Sequence, residues 1–481
     1  MPALWLCLST PTLLLDTLAS DAGDQPARAL VEHHGPRRWV HSANREAREV
    51  GVRTGQAVST ALARVPHLQL IAHDAERERQ QLEGLALWAW QFSSQLSLLP
   101  PTALLLEVGG SLKLFGDLDR LLAAVSSGLE ALGYRHRCGL APTPLAARLA
   151  VRCDLPPVLD AAALDTVLSA LPVQQLDLPT ATLRALQQCG IRQTGALLAL
   201  PRDALARRFD PACCDYLDRL RGQAADPRPR FSPPRRFDQR LDLLQEIDNT
   251  AALGFPLKRL VDTLGAQLTG RDCGVSSVRL TLGHPREPDS ELHVRLLEAS
   301  GNATHLLHVA RTQLEQLQLP EPVRALRLRC DRFEAVARGG DDLFHHPGRS
   351  AVERRSAIEH LRARLGEDAV YQVETVDDNR PECAWRAHLD NPASAGAEPV
   401  RWPPRPLWLI DPPEPAPAGL TLESGPERLE SGWWGGQCQD GRPAPDMRRD
   451  YYIAHDSTGL RYWVFQRRDA PRDWYVHGRF G

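Results

Sequence analysis

The sequence predicts a multidomain protein of mixed α/β and α+β class, and three observations lead to this prediction. First, the chain has 481 residues, more than one hydrophobic core usually organises. Second, its 43% hydrophobic and 24% charged residues are typical of globular proteins. Third, strand and helix patterns alternate up to about residue 334, and a tail rich in proline and tryptophan follows. We therefore expect several folded units and a distinct C-terminal segment.

The first 165 residues predict a mixed layer of strands and helices with one insertion. The apolar run from Ala3 to Leu8 predicts a buried strand, and "TALLLEVG" at residues 102–109 predicts a second one. Apolar residues at helical spacing predict a helix before that second strand, and residues 117–132 predict another after it. The stretches "YRHRCGLA" and "PLAARLAVR" then predict a strand and a helix, whereas residues 14–79 carry mixed signals.

Residues 166–334 predict two further units joined by a linker. Leucine-rich segments with tight turns over residues 166–225 predict small helical hairpins. Residues 226–237 are rich in arginine and proline and predict an irregular linker. Residues 238–334 predict the order strand, helix, strand, strand, helix, strand, which is typical of a split βαβ sandwich.

The C-terminal segment differs in composition from the rest of the chain. Residues 335–420 are polar and proline-rich and predict a partly disordered linker. Residues 421–481 predict a small aromatic β module, because "RDYYIAHDSTGLRYWVFQ" alternates in polarity and turns at "DSTG". Six of the 11 tryptophans lie beyond residue 400. Exposed tryptophans suit protein interfaces, and packing in the core of the hairpin explains the same residues equally well.

Charge and cysteine content exclude some classes of protein. The formal charge of −3 argues against a chain that coats nucleic acid through bulk positive charge, but local patches can still bind phosphate. Only Lys113 and Lys258 of the 57 basic residues are lysines; arginine suits phosphate recognition, and genome base composition explains the same bias. The 10 cysteines form no C-x-x-C pair, so we expect no metal site and no cofactor. The scattered cysteines suit a reducing cytosol and the apolar N-terminus is too short for a membrane span, so we expect a cytoplasmic protein.

Four stretches taken together and in this order indicate a family, although none of them decides it alone. Residues 43–56, "ANREAREVGVRTGQ", place the pair Ala47 and Arg48 before a Gly-Val-x-x-Gly pattern, and residues 138–151 read "CGLAPTPLAARLAV". Together with the hairpins around "CGIRQTGALLALP" and the split βαβ unit, they resemble the Y-family of translesion DNA polymerases. The resemblance implies a palm-like domain at 1–13 and 80–165, a fingers-like domain at 14–79, a thumb-like domain at 166–225 and a little-finger-like domain at 238–334.

The expected catalytic positions depart from that family. Polymerases of this kind hold two divalent ions with an aspartate on the first strand and an Asp-Glu pair before the second, and a hydroxyl or methyl group cannot replace a carboxylate. Here the resemblance puts Leu8, Thr102 and Ala103 at those positions. We therefore expect a pseudo-polymerase without catalytic residues or metal ligands. The alternative is an active DNA-directed DNA polymerase with displaced acids at Glu107, Asp117 or Asp119, although acids at 117 and 119 also suit a helix start.

The tail narrows the resemblance further. "GPERLESGWW", "RDYYIAHDSTGLRYWVF" and "WYVHGRFG" resemble the tail of a non-catalytic Y-family branch that belongs to a bacterial mutagenesis cassette induced by DNA damage. This resemblance implies a nucleoid-associated adaptor in SOS mutagenesis and translesion synthesis. Its implied partners are the β sliding clamp, the cassette protein ImuA, the error-prone polymerase ImuC and DNA, either as a primer-template or as a single strand.

A clamp-binding peptide is predicted just beyond the little-finger-like domain. Such peptides place a leucine and an aromatic side chain in one apolar pocket, and "GGDDLFHH" supplies Asp342, Leu343 and Phe344. The alternative is an amphipathic turn that packs on the preceding domain. Two other stretches match the short pattern, "QLSLL" at residues 95–99 and "QRLDLL" at 239–244, and we expect both to be core strands.

DNA binding is predicted for the arginine-rich linker and the strands after it. Phosphate contacts of this type depend on salt and carry no sequence information. A soluble linker without function is the alternative, as is a damaged-DNA-binding protein that uses no clamp. The candidate DNA-binding residues are Arg228, Arg230, Arg235, Arg236 and Arg240.

Overall fold

The structure, a computed structural model, divides the chain into two compact units, residues 1–356 and 357–481. Each unit has its own sheets and its own buried residues, so each is described by itself. The structure describes residues 3–17, 26–209, 211–336, 349–366, 369–376, 378–388, 403–431, 447–468 and 473–481.

The first unit begins with a four-stranded antiparallel palm sheet interrupted by a fingers-like insertion. The sheet has the order β5-β6-β1-β7, and the insertion carries a three-stranded sheet of order β3-β2-β4. The elements are β1 (Trp5–Ser9), α1 (Leu13–Thr17), β2 (Arg28–His34), β3 (Arg37–Ala43), α2 (Arg45–Glu49), α3 (Val58–Arg64), β4 (Gln69–Ala72), α4 (Ala75–Ala89), β5 (Leu96–Leu99), β6 (Ala103–Glu107), α5 (Leu112–Phe115), α6 (Leu118–Ala131), β7 (Arg137–Ala141) and α7 (Pro144–Cys153).

The palm sheet has a hydrophobic core on each of its two faces, because side chains along its strands point alternately to one face and the other. Leu6 and Leu8 of β1 pack with Leu104 and Leu106 of β6 among residues of α4 and α6. Cys7 of β1 packs on the other face, among residues of α7 and of the helices that follow. Because successive side chains in a strand point to opposite faces, this apolar run is buried on both sides, as its composition predicts.

Helix α7 lies unusually close to β7, and Gly139 permits this approach. A Cβ atom at position 139 would lie 2.5 Å from the backbone nitrogen of Val151 and 2.6 Å from the carbonyl oxygen of Ala147. The helix begins at Pro144 and is capped by Thr143, whose Oγ1 accepts from the backbone N–H of Ala146. Glycine at the start of the "CGLAPTPLAARLAV" motif therefore has a packing role.

A bundle of short helices follows, as the sequence predicts. Their leucines and the side chain of Phe209 extend the core that α7 begins. The bundle packs directly on the palm through this shared core. Its helices are α8 (Ala161–Ser169), α9 (Thr180–Gln188), α10 (Thr194–Leu198), α11 (Arg202–Arg208) and α12 (Pro211–Arg221).

The linker at 226–237 is extended and tied to its neighbours at several points. The backbone N–H of Phe231 donates to the carbonyl of Leu96 in β5, over 2.7 Å. Arg271 Nη2 donates to the carbonyls of Pro233 and Pro234, and Gln267 Nε2 also donates to Pro234. Side chains thus satisfy the carbonyls of Pro233 and Pro234, whose residues have no backbone N–H to donate.

The little-finger-like domain has a sheet of order β10-β9-β11-β8, with two helices packed against it. The predicted split βαβ order is present, with a short additional strand pairing with β9. The elements are β8 (Phe237–Ile247), α13 (Gly254–Arg271), β9 (Cys273–Gly283), β10 (Ser290–Ser300), α14 (Ala303–Glu315), β11 (Val323–Cys330) and β12 (Glu334–Ala335).

Residues 335–420, predicted as a partly disordered linker, contain regular structure in the part that the structure describes. A 17-residue helix, a short hairpin and the first strand of the C-terminal sheet lie there. Ile358, Leu361 and Leu365 have helical spacing, a signal that the high polarity obscured. The elements are α15 (Arg349–Leu365), β13 (Gln372–Thr375), β14 (Trp385–His388), β15 (Trp408–Pro415), β16 (Thr421–Ser431), β17 (Met447–His455), β18 (Arg461–Arg467) and β19 (Trp474–Arg479).

The C-terminal unit is built around an antiparallel sheet of order β15-β19-β18-β17-β16 with an aromatic core. Tyr451, Trp463 and Phe465 are buried, and the rings of Tyr451 and Trp463 stack with centroids 4.1 Å apart. The fully buried His477 lies beside them, with its Nδ1 2.7 Å from the hydroxyl of Tyr451. Burial, reinforced by the positive charge of Arg449, lowers the pKa of His477 to about 3.

Acid should destabilise the C-terminal unit through His477. This histidine is neutral when folded, whereas in the unfolded chain it gains a proton near its ordinary pKa of about 6.5, so stability is retained above that pH and lost as the pH falls towards about 3. The expected loss is about 1.4 kcal/mol for each pH unit within that window. Urea unfolding of the full chain at several pH values, followed by tryptophan fluorescence, measures this slope.

The slope should flatten in His477→Asn, which keeps a polar partner for Tyr451 but does not titrate. His455→Asn, at a half-exposed position on β17, is the matched control and should retain the wild-type slope. An equal slope in wild type and His477→Asn would assign the acid sensitivity to other groups.

Candidate palm centre and nucleic-acid interface

The expected catalytic positions lie where β1 and β6 pair. Ser9 lies opposite Ala103 and Leu8 lies opposite Leu104 in this antiparallel register. Directly opposite residues share a face of the sheet, so Ser9 is the β1 residue on the same side as Ala103. Leu8 lies on the opposite face, in the core that contains Leu104 and Leu106. Thr10 continues the pairing, since its N–H and Oγ1 both donate to the carbonyl of Thr102, over 2.8 and 3.0 Å.

Glu107 is engaged by backbone groups. Its Oε1 accepts from the N–H of Leu4 at 3.1 Å and of Gly109 at 3.0 Å, and its Oε2 accepts from Gly110 at 3.3 Å. These bonds join the start of the chain to the turn after β6. A carboxylate held by three backbone donors has few lone pairs left for a metal ion.

The other nearby acids also have local partners or local roles. Asp117 caps α6 by accepting from the N–H of Arg120 at 2.7 Å, and Asp119 lies exposed in the first turn of the same helix. Asp16 is buried and accepts from Thr12 Oγ1 and from the N–H of Arg135. Burial raises the pKa of Asp16 to about 6, so this carboxyl group gains a proton more easily than an exposed aspartate.

The five candidate DNA-binding arginines fall into two groups. Arg228 forms an ion pair with Asp226 at 2.6 Å, and Arg240 forms one with Asp242 at 2.8 Å. Arg230, Arg235 and Arg236 are exposed and have no ion-pair partner among the described residues. These three guanidinium groups are therefore free to contact phosphate.

The outer face of the little-finger-like sheet adds arginines that the sequence analysis did not single out. Leu280, Leu282, Leu326 and Leu328 are buried, so the residues between them point away from the helices. In the register Arg327 lies between Arg240 and Thr281, and Arg329 lies between Asp238 and Arg279. The alternation of arginine and apolar residues in "RALRLRC" and "SVRLTLG" could have indicated this basic face from the sequence. The arginines of this face are Arg240, Arg279, Arg295, Arg327 and Arg329.

Acidic side chains moderate this basic face. Arg327 binds Asp238 with two bonds of 2.6 and 2.7 Å, and Arg329 lies 3.4 Å from the same carboxylate. Phosphate would have to compete with Asp238 for these two guanidinium groups. Within the described part of the chain no carboxylate pairs with Arg230, Arg235 or Arg236, so we expect these three to contribute more to DNA affinity.

Replacing Arg235 and Arg236 with alanine should weaken DNA binding and reduce its salt dependence. Each lost phosphate contact lowers the slope of log K against log salt by about one unit on duplex DNA. Fluorescence anisotropy with a labelled primer-template at several salt concentrations measures both quantities. Arg228→Ala is the control, since its guanidinium is already paired with Asp226. A double variant with the wild-type slope would leave the linker without a role in DNA binding.

The predicted clamp-binding residues, Asp342, Leu343 and Phe344, lie outside the described residues. The two other matches to the short pattern lie inside folded strands. "QLSLL" runs into β5, where Leu96 is fully buried, and "QRLDLL" lies in β8, where Leu241 is buried. A clamp could reach neither peptide without loss of a strand.

The first unit contains the four modules of a polymerase-like fold of the Y-family type, and a further β-sheet unit follows it in the chain. Residues 25–152 match the impB/mucB/samB family. The chain is similar to Protein ImuB of Caulobacter vibrioides, with 28% identity over 466 residues that cover 90% of this chain and 100% of that protein. The predicted resemblance to ImuB is confirmed.

Catalytic relatives are also similar to part of the chain. DNA polymerase IV of Caulobacter vibrioides is 26% identical over 282 residues, which cover 55% of this chain and 67% of that enzyme. Among solved structures, a ternary complex of Dbh DNA polymerase has a TM-score of 0.40 and 14% identity, and DinB from Sulfolobus solfataricus has a TM-score of 0.39 and 13% identity. Each covers 69% of this chain and 99% of the solved chain.

No helix within the described ranges has the length and apolar character required to cross a membrane.

Proposed function

We propose that this protein is a non-catalytic adaptor in damage-induced mutagenic translesion synthesis. It binds DNA and the β sliding clamp and brings in ImuA and the error-prone polymerase ImuC. The similarity to ImuB over 90% of the chain supports a role in this mutagenesis system. The single observation that carries the non-catalytic part is the pairing of β1 with β6, where Ser9 and Thr10 meet Ala103 and Thr102.

Two-metal chemistry needs carboxylates at this meeting point. Metal ions about 4 Å apart stabilise the attacking and leaving oxygens together, and each ion takes oxygen ligands that carry charge. Serine, threonine and alanine side chains supply no charge. Glu107 is held by three backbone donors and Asp117 caps a helix, which argues against the alternative of displaced catalytic acids.

The DNA-binding part of the proposal is supported by charge and exposure. Arg230, Arg235 and Arg236 are exposed and unpaired among the described residues, next to a strand that belongs to the arginine-bearing sheet face. Such contacts supply affinity without sequence preference, which suits a protein that works at any damaged site.

Tethering to the clamp would come from the segment after the little-finger-like domain. "DDLF" places Leu343 and Phe344 together, as clamp peptides do, whereas the two competing matches contribute buried leucines to strands. Leu343 and Phe344 are separate in the sequence from the arginines of the linker and the sheet face, so clamp binding and DNA binding would use different residues.

A bridging assay tests the adaptor. The β clamp is immobilised, and capture of ImuC is measured with and without the full chain, and with ImuA added. We expect ImuC to be retained only when the chain is present. Binding of DNA without any binding of the clamp would favour the alternative of a clamp-independent damaged-DNA-binding protein. Clamp binding without retention of ImuC would refute the recruiting role.

A further inference from the structure

A cluster of two histidines and a glutamate lies in the fingers-like module, away from the residues discussed above. Glu32 comes from β2, His41 from β3 and His73 directly follows β4. One ligand atom from each residue lies within 4.8 Å of the other two. The three strands are hydrogen-bonded in the order β3-β2-β4, so the sheet itself holds these side chains together.

The atoms that face one another are of the kinds that bind transition metals. His41 Nδ1 forms a close contact with Glu32 Oε1, and His73 Nδ1 lies 3.3 Å from the same oxygen. The second distance equals the separation of about 3.3 Å between two ligand atoms bound tetrahedrally to Zn²⁺, whereas His41 would have to move away from Glu32 to admit an ion. The side chains are partly buried, with 27% of His41, 30% of Glu32 and 12% of His73 exposed, which leaves access for an ion and a water.

A buried carboxylate orients His73 for this role. Glu78, in the first turn of α4, has 6% of its side chain exposed and lies 3.1 Å from His73 Nε2. A proton on Nε2 donates to Glu78 and leaves the lone pair of Nδ1 directed at Glu32. Metal-bound histidines usually donate their second ring nitrogen to a carboxylate in this way, which fixes the tautomer and strengthens the ligand.

A cation would change the interactions within the cluster. The imidazole rings of His41 and His73 stack with centroids 3.9 Å apart and an angle of 14° between planes. Because the lone pairs of stacked rings run side by side, the two rings must turn apart for both Nδ1 atoms to bind one ion. A divalent ion held in this way would accept both lone pairs and balance the charges of Glu32 and Glu78.

We propose that Glu32, His41 and His73 bind a divalent transition ion of the zinc class, with Glu78 as a positioning residue. Imidazole nitrogens favour zinc, nickel and copper over magnesium, whose usual ligands are oxygens. The ion would join all three strands of the fingers-like sheet to the start of the helix that returns to the palm. Its role there is to hold the fingers-like module together, since a metal site formed only in the folded state stabilises that state.

Metal titration of the full chain tests this proposal. The chain is stripped with a chelator and titrated with Zn²⁺ by calorimetry and with Co²⁺ by absorption spectroscopy, in which a tetrahedral site gives intense d–d bands. We expect one equivalent to bind, and His41→Gln and His73→Gln each to weaken binding more than about 100-fold. Glu78→Gln should weaken it by about 10–100-fold, as partners of ligating histidines do.

His67→Gln, at an exposed position before β4, is the matched control and should bind as wild type does. Glu32→Gln keeps the shape of the ligand and guards against a histidine variant that fails to fold. Absence of saturable binding to the wild-type chain would overturn the proposal. Wild-type affinity in the two histidine variants would also overturn it.

Discussion

Replacing Leu343 and Phe344 together with alanine is expected to weaken binding of the full chain to the β clamp by about 100-fold or more. Paired apolar anchors in one pocket each contribute on the order of 2 kcal/mol, and about 1.4 kcal/mol corresponds to a tenfold change in affinity. Surface plasmon resonance with immobilised clamp measures the change. The variant should retain DNA binding, because the arginines of the linker and sheet face are untouched.

His345→Ala combined with His346→Ala is the matched control, since it alters the same segment without removing the leucine or the aromatic ring. It should bind the clamp as wild type does. Clamp affinity that survives the Leu343 and Phe344 double substitution would place the tether in another part of the chain.

Gly139→Ala is expected to destabilise the palm by about 3 kcal/mol, the upper range for overpacking in a dense core. The new Cβ would lie 2.5 Å from the backbone nitrogen of Val151, and backbone cannot rotate away as a flexible side chain can. Either α7 or β7 must shift, and both belong to the core that joins palm and thumb. Hydrogen-exchange mass spectrometry on peptides covering residues 137–153 measures the local free energy of opening.

Gly110→Ala is the control for the loss of a glycine. A Cβ there would lie 3.4 Å from Glu107 Oε2, at the edge of ordinary contact, and we expect a change below about 1 kcal/mol. Equal protection of residues 137–153 in wild type and Gly139→Ala would contradict the packing role assigned to this glycine.

The fold of the first unit could be predicted from sequence because its signals are local. Apolar runs buried on both sides, such as Leu104 to Leu106, predict strands by composition, and capping residues such as Thr143 mark helix starts. The strand order of the palm sheet is not local. The order β5-β6-β1-β7 depends on pairing between distant strands, and the sequence did not predict it.

The candidate site could be predicted only in part. The ion pairs of Arg228 with Asp226 and of Arg240 with Asp242 join residues two positions apart, so the sequence could have indicated them. The net charge of the chain does not show which arginines are paired. The outer-face arginines follow the alternation of β9 and β11, which becomes informative once the register is known. Glu32, His41 and His73 have no spacing signature, because three separate strands bring them together.

Helix α15 and strand β15 were obscured by composition. Polar and proline-rich sequence predicts disorder through its low capacity to bury apolar surface, yet Ala363 is buried and β15 pairs with β19. The pairing of β15 depends on its partner strand β19, which lies outside residues 335–420, so the composition of that segment alone does not predict it.

Primer extension by the purified full chain distinguishes a pseudo-polymerase from a working polymerase. A labelled primer-template is incubated with all four deoxynucleotides and with Mg²⁺ or Mn²⁺, and products are resolved at single-nucleotide resolution. We predict no extension above the protein-free control with either ion. Template-dependent extension that disappears in Glu107→Ala or Asp119→Ala would contradict the account, because it would show a working polymerase centre built from displaced acids.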